Sequence, residues 1–466
     1  MVWVSSYNGT RAHLYTHTSS ATPSSLRQSE ARHASPALYP CSHGDHLLSP
    51  TDFASLAHAP KGSEAKGDTL HAYRLCSETG DLTYAASHGG LYNPAFLRVH
   101  PTKPLIYAAT ETILAHGEIV TLEFAPAQGP NLTTTGRQSS HGASTCYLTL
   151  TSPAEKQWLL AVNYWDSVIS VLPALPDGSL EAVSCVLPPP MPVRARGLED
   201  HLRDRQSEPH AHAVVLDPCF GRLAFVPDLG TDVVRTYVLN PEDGSLTPAG
   251  SVACAPQGTG PHGPRYIEFD PARLVAYVVN ELSSTVSVFK FCQVSAAAAI
   301  HAATGISFGK TGPVLELIQV VSTLEAPNPG LAPAALPPKR NTCGRIAVAP
   351  NGAFVLVSNR GDDSIACFAI ERTEPGLPRL RTAVVTKTGG ATPRHFQFAC
   401  GGSFVIAANQ DSDSLTVFKF CKDTGALAST GKHYACPSPN FVATLSSRER
   451  FHLPGLAIPN SISGEF

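Results

Sequence analysis

The chain has 466 residues, of which 43% are hydrophobic and 15% charged, with a formal net charge of −3. That balance supports a large buried core and excludes the broad basic surface that a nucleic-acid binder needs. It contains no apolar run of the roughly 18 residues that a membrane-spanning helix requires, and its 40 Pro and 36 Gly suit a protein built largely of turns.

Taken in chain order, the start, MVWVSSY, reads as a lone strand. It lacks the basic and apolar regions of a signal peptide. Residues 14–66 are rich in Ser, His, Ala and Pro and read as a loop insertion, in part disordered. Copies of one pattern follow: AATETI at Ala108, VNYWDSVISV at Val162, PDLGTDVVRTYV at Pro227, NELSSTVSVFKFC at Asn280, NRGDDSIACFAI at Asn359 and NQDSDSLTVFKFC at Asn409. Two further insertions break the series, a Pro run followed by mixed charges at 187–207 and an Ala- and Pro-rich stretch at 293–338. Both are expected to be loops. The charged part of the former, RARGLEDHLRDR, is either a solvated loop or a cover for a nearby opening. The end, SPNFVATLSS, reads as a blade lacking a strand.

The residue after the near-constant Asn falls at 111, 164, 228, 281, 360 and 410, giving spacings of 53, 64, 53, 79 and 50. A basic period of about 50 residues is that of a four-stranded propeller blade. Within each copy, short alternating runs of Val, Phe, Tyr and Ile are broken by Gly, Asp and Pro, which is the signature of strands. The expected fold is therefore all-β: a single-domain, seven-bladed β-propeller over residues 1–466, closed by pairing of the N-terminal strand with the C-terminal blade, which leaves no free sheet edge. The 12 Cys show no CxxC or metal-ligand spacing. This points to a reducing, cytoplasmic location, and nothing in the sequence calls for a metal or an organic cofactor.

Counting from the turn residues Pro101, Pro218, Pro271 and Pro350, the tenth residue on is Glu111, Asp228, Glu281 and Arg360; Cys400 leads likewise to Gln410, and Pro153 to Tyr164 with one extra residue. Six positions before the same turns stand Ala95, His212, Arg265, Gly344 and Arg394. In an antiparallel hairpin these two columns are neighbours, so both ring one mouth of the channel. A packing position keeps one residue type from copy to copy, whereas these columns change, as a single asymmetric site on a repeated scaffold must. Arg265 with Glu281 and His212 with Asp228 could be plain ion pairs. Those pairings leave Arg360 and Arg394 with only Glu111 to neutralise them, and surplus guanidinium at a mouth favours a carboxylate or phosphate ligand.

The segments PHAHAVVLDP at Pro209, VPDLGTDVV at Val226, GPRYIEFDP at Gly263, VVNELSSTV at Val278, SNRGDDSIA at Ser358 and TPRHFQF at Thr392 together resemble the seven-bladed propeller lactonases. That family includes the propeller-type 6-phosphogluconolactonases and the fungal carboxy-cis,cis-muconate cyclase. The cyclase's proposed His, two Arg and Glu fall by motif on His212, Arg265, Arg360 and Glu281. The usual Arg-His of the bacterial enzymes is here Arg265-Tyr266.

The resemblance implies hydrolysis of 6-phospho-D-glucono-1,5-lactone to 6-phosphogluconate, a step of the oxidative pentose phosphate route, with a small anionic lactone as substrate and neither nucleic acid nor membrane as a partner. His212 or Glu281 would be the base, with Asp228 orienting the His. Arg265 would stabilise the oxyanion, and Arg360 and Arg394 would hold the phosphate. His210, Asp228, Arg394 and Glu111 form the expected substrate-binding set. The alternatives are a cyclase-type reaction, in which the arginines grip carboxylates, and a non-catalytic scaffold. No GxSxG elbow is present, so serine-esterase chemistry is not expected.

Overall fold

The computed structural model describes residues 1–7, 68–125, 130–152, 155–190, 205–305, 312–325, 340–372 and 377–445. The insertion read at 14–66, the turn residue Pro153 and most of 187–207 lie outside the described residues.

Seven four-stranded antiparallel sheets form the blades of a propeller. In chain order their innermost strands are Pro94–Val99, Thr145–Leu150, Val215–Leu216, Pro264–Asp270, Thr342–Val348, Pro393–Ala399 and Pro439–Thr444. The first six blades each come from one continuous stretch. The seventh joins the two ends of the chain, its order being Pro439–Thr444, Val2–Ser6, Asp68–Leu75 and Leu82–Gly89. Val2 pairs with Thr444 and with Tyr73, and the Leu445 amide donates to Met1 O at 2.8 Å. The closure expected from sequence is present. Its division differs in detail: the C-terminal end supplies only the innermost strand, and the N-terminal part of the chain supplies the other three.

Alternating apolar residues of each sheet meet those of the next blade. Phe225, Ile267, Phe289 and Phe291 fill the space between the third and fourth blades, and Phe354, Phe398, Phe418 and Phe420 that between the fifth and sixth. Each such side chain contributes about 1.5–3 kcal/mol on burial. This repeated core makes the inner strands a rigid frame.

The stretch 293–338 is not simply a loop. Its described part contains the helix Gln293–Ala303 and then Leu315–Ser322, the outermost strand of the fourth blade. The Ala-rich sequence is a strong helix former, and Ala296 packs among the apolar residues of the third and fourth blades.

The near-constant Asn has a structural duty. Asn280 donates to Thr285 Oγ1 and Ser287 Oγ, Asn359 to Ser364 Oγ and Thr323 O, and Asn409 to Thr416 Oγ1. Each ties the end of its second strand to the third. The residue that follows is thereby held at the channel mouth.

Candidate active site

The two columns owe their geometry to a recurring device. Just before the inner strand, the backbone turns left-handed at Asn93, Ser144, Gly263, Thr392 and Ser438, with φ of 39°, 64°, 63°, 58° and 37°. The carbonyls of these residues accept the backbone N–H of Glu111 (2.9 Å), Tyr164 (2.9 Å), Glu281 (2.6 Å), Gln410 (3.0 Å) and Tyr7 (3.3 Å). Left-handed conformations at non-Gly residues cost of order 1–3 kcal/mol and persist only where surrounding structure over-determines them. The next strand residue is usually Pro, whose missing N–H is tolerated at a strand start. Register then slips at Ala95, Cys146, Arg265 and Arg394, between Pro94 and Phe96, Thr145 and Tyr147, Pro264 and Tyr266, and Pro393 and His395. A bulge re-aims the side chain of its extra residue.

Gly344 occupies the same column in the fifth blade. A Cβ there would stand 2.6 Å from Arg394 O and 2.7 Å from Ser358 Oγ, so only glycine fits. Its carbonyl accepts Arg265 Nη1 at 3.0 Å.

Glu281 is the hub. Its Oε2 takes Arg265 Nε at 2.8 Å and Arg360 Nη2 at 2.9 Å, while Oε1 takes Arg205 Nη2 at 2.6 Å. Burial alone would raise the affinity of Glu281 for a proton; Arg360, Arg205 and Arg265 overcome it and hold the carboxyl well below its usual range. Arg360 Nη2 also donates to Cys343 O at 2.7 Å, and its buried Nε has no hydrogen-bond partner among the described residues. Burial lowers the Arg360 pKa, and only partly does Glu281 offset this. Arg265 lies over the Tyr266 ring at 4.4 Å. Burial works against its charge, but Tyr266 and Glu281 raise its pKa.

His212 is buried beside this cluster, edge-on to Tyr266 at 5.5 Å and to Tyr164 at 5.0 Å. Its Nδ1 stands 3.7 Å from Cys146 Sγ, which leaves Nε2 as the ring nitrogen not engaged by a described residue. Burial first, and then Arg265, depress its pKa well below 6.5. The imidazole is neutral at physiological pH.

Across the mouth, Glu111 accepts Tyr7 Oη at 2.5 Å and Ser144 Oγ at 3.1 Å, with Arg394 Nη2 at 4.0 Å. Arg394 also lies over the Tyr7 ring at 5.5 Å.

Thus His212, Arg265, Glu281 and Arg360 come together, and Glu111 and Arg394 form a second group. Two residues expected to bind substrate are otherwise occupied. His210 stacks on Tyr164 at 4.8 Å and donates Nδ1–H to Tyr164 O at 3.1 Å. Asp228 is 0% exposed and accepts the amides of His210 and Gly230 and Arg235 Nε at 3.0 Å. The expected pairing of Asp228 with His212 does not form. The cause is one of register: Asp217 bridges to Leu223 across residues 218–222, whereas Asp270 pairs with Val275 across 271–274. The longer turn moves Asp228 opposite Ala211, the place that Asn280 holds opposite Pro264. Leu229 then takes the column position, its N–H bonded to His210 O at 2.9 Å.

Arg205 and Tyr7 were not found by counting. Arg205 stands at the end of an insertion, outside the repeat, and Tyr7 belongs to the blade split between the chain ends. The position of Tyr7, directly after the strand Val2–Ser6, was the available signal.

Below the mouth, the residues that follow the bulges close a floor. Phe96 meets Tyr147 at 4.4 Å and Phe441 at 4.5 Å, Tyr147 meets Tyr266 at 5.3 Å, and His395 meets Phe441 at 3.9 Å. Fold and mouth together define a propeller with a one-sided, arginine-rich cluster beside a neutral histidine, chemistry suited to an anionic ester.

The chain belongs to the seven-bladed β-propeller lactonase family, whose sequence profile matches residues 56–444. It is 28% identical over 383 residues to the 6-phosphogluconolactonase of Bacillus subtilis, covering 81% of this chain and 95% of that one. Among solved structures it resembles the periplasmic gluconolactonase of Pseudomonas aeruginosa, with 26% identity, a TM-score of 0.64 and coverage of 82% and 96% of the two chains. A Lactobacillus plantarum protein, 21% identical with a TM-score of 0.65 over 82% and 97% of the chains, shares the fold. The protein is a lactonase-family hydrolase.

Proposed function

We propose that this protein hydrolyses 6-phospho-D-glucono-1,5-lactone to 6-phosphogluconate, with His212 as general base. The observation that carries this reading is the pairing of a neutral buried imidazole with more buried guanidinium than Glu281 can neutralise. A δ-lactone is an activated ester, so catalysis requires only a base for water and positive charge for the tetrahedral oxyanion.

Glu281 is a poor base, because three guanidiniums must release it before it can take a proton. His212 Nε2 has no such burden. It takes a proton from water as the oxygen attacks the lactone carbonyl, and returns it to the ring oxygen as the C–O bond breaks. Such proton transfer contributes about 10²–10⁴-fold. Arg265 and Arg360, both fixed on Glu281 Oε2, face the developing oxyanion as donors that need no reorganisation. On this reading Arg360 acts at the carbonyl, and Arg394, more exposed at the mouth, binds the phosphate. Glu281 keeps the guanidiniums aligned.

The test is hydrolysis of freshly made phosphorylated lactone, coupled to a 6-phosphogluconate dehydrogenase, with glucono-1,5-lactone in parallel and the spontaneous rates subtracted. A kcat/KM at least tenfold higher on the phosphorylated lactone supports the proposal. Equal rates, or a rate no better than the blank, overturn this substrate and turn attention to muconate-type lactones.

A further inference from the structure

Three guanidiniums share Glu281, and they are not equivalent. Arg265 and Arg360 both bind Oε2 and have side chains only 3% and 8% exposed, whereas Arg205 alone binds Oε1 and is 14% exposed. Loss of Arg205 from Glu281 leaves that carboxylate with two close cations. Arg205 also differs in origin. It does not stand on a blade: it precedes the third blade, at the end of the insertion read at 187–207, and has no counterpart in the repeat.

Its position is nevertheless fixed. The neighbouring Gln206 is buried and donates Nε2 to Leu229 O at 3.0 Å and to Asp232 Oδ1 at 2.8 Å. Asp232 Oδ1 in turn accepts the amides of His262 and Gly263, the latter opening the inner strand that carries Arg265. The Arg205 backbone is therefore tied to the frame of the site, while its guanidinium ends at the mouth, with Nε 3.3 Å from Tyr164 Oη.

Charge supplies the second line of reasoning. Arg205, Arg265 and Arg360 set three positive charges against one carboxylate, beside a neutral His212. With Arg265 and Arg360 assigned to the oxyanion, Arg205 is the guanidinium of this cluster that remains to join Arg394 on a phosphate monoester, which carries about −1.5 to −2 at neutral pH. A guanidinium offers such a group two parallel N–H donors, where an ammonium offers a point charge.

We propose that Arg205 is a specificity-determining residue that leaves Glu281 Oε1 for the phosphate of an incoming ligand, so that this site selects a phosphorylated lactone over its unphosphorylated analogue. This inference rests on the reading of the cluster as a lactonase site.

The experiment measures binding of 6-phosphogluconate and of gluconate by calorimetry to wild type, Arg205→Ala and Arg205→Lys, with thermal unfolding of each. The expected result is a loss of about 10–100-fold in 6-phosphogluconate affinity for Arg205→Ala, the worth of a charged hydrogen-bonded contact. Gluconate affinity stays level, and Arg205→Lys recovers part of the loss. If wild type prefers 6-phosphogluconate and Arg205→Ala keeps that preference, Arg205 is not the selector. Equal weakening toward both ligands, together with a lowered unfolding temperature, makes Arg205 only a strut for Glu281 and overturns the inference. No preference in wild type overturns both this inference and the phosphorylated substrate proposed above.

Discussion

Glu111 and Glu281 hold the same place in the first and fourth blades, and in each the backbone N–H is fastened to a left-handed residue ahead of the inner strand. Their surroundings differ. Glu281 is gripped by Arg205, Arg265 and Arg360 within 2.9 Å, while Glu111 is held by the hydroxyls of Tyr7 and Ser144, with Arg394 only at 4.0 Å. The scaffold fixes where a carboxylate sits, and the neighbours decide what it does. On one side of the mouth the carboxylate organises cations around a neutral histidine; on the other it is a hydrogen-bonded anchor beside a single cation.

Substitutions that remove one member at a time break this contrast, and the largest effect falls on Glu281→Gln. It leaves buried guanidiniums uncompensated and is expected to cost about 3–5 kcal/mol of stability, the usual range for breaking a buried pair. Denaturant titration reads it. Glu111→Gln, which keeps the shape and most hydrogen-bonding capacity, is expected to cost only about 1 kcal/mol. Equal costs would erase the distinction. Next, Arg265→Ala is expected to lower kcat about 10²–10³-fold, as loss of an oxyanion donor does elsewhere, with circular dichroism unchanged; a change confined to KM would move Arg265 from the oxyanion to ground-state binding.

A smaller effect sharpens the difference between the two kinds of column. Asn280→Ala is expected to cost about 1–3 kcal/mol through the two lost hydrogen bonds to Thr285 Oγ1 and Ser287 Oγ. Its loss of activity should follow the loss of folded protein and no more.

The smallest effects concern pH. Burial keeps His210, His212 and His395 below their ordinary pKa of 6.5. The unfolded chain therefore takes up protons near 6.5 that the folded chain refuses, and stability falls as pH drops below that value. The depressed Glu281 acts in the same direction lower down: its contribution is present above about 4.5 and is lost as pH falls through its folded pKa. For catalysis, His212 remains a base to well below pH 6.5, so kcat/KM should be level through 6.5 and decline only at more acid pH. An inflection at 6.5 itself would mark a solvated histidine.

Much of this was legible in the chain. The period, the near-constant Asn, and the columns holding His212, Arg265, Glu281 and Arg360 follow from counting, because each blade repeats one hairpin of nearly fixed length. Where the length changes, counting fails. The longer turn at 218–222 carried Asp228 into the Asn position, where it became a buried cap rather than a partner of His212. Tyr7 was hidden because its blade is divided between the ends of the chain, and Arg205 because insertions carry no periodicity. The bulges that aim Arg265 and Arg394 leave no local sequence mark beyond a preceding Pro.

The most direct test of the central claim compares the coupled hydrolysis of phosphorylated lactone by wild type, His212→Ala and Glu111→Gln, each shown to be folded. The account predicts that His212→Ala falls about 10²–10⁴-fold toward the spontaneous rate, while Glu111→Gln retains most of its turnover. A His212→Ala enzyme near the wild-type rate, with Glu111→Gln inactive, would contradict it and place the base on the opposite side of the mouth.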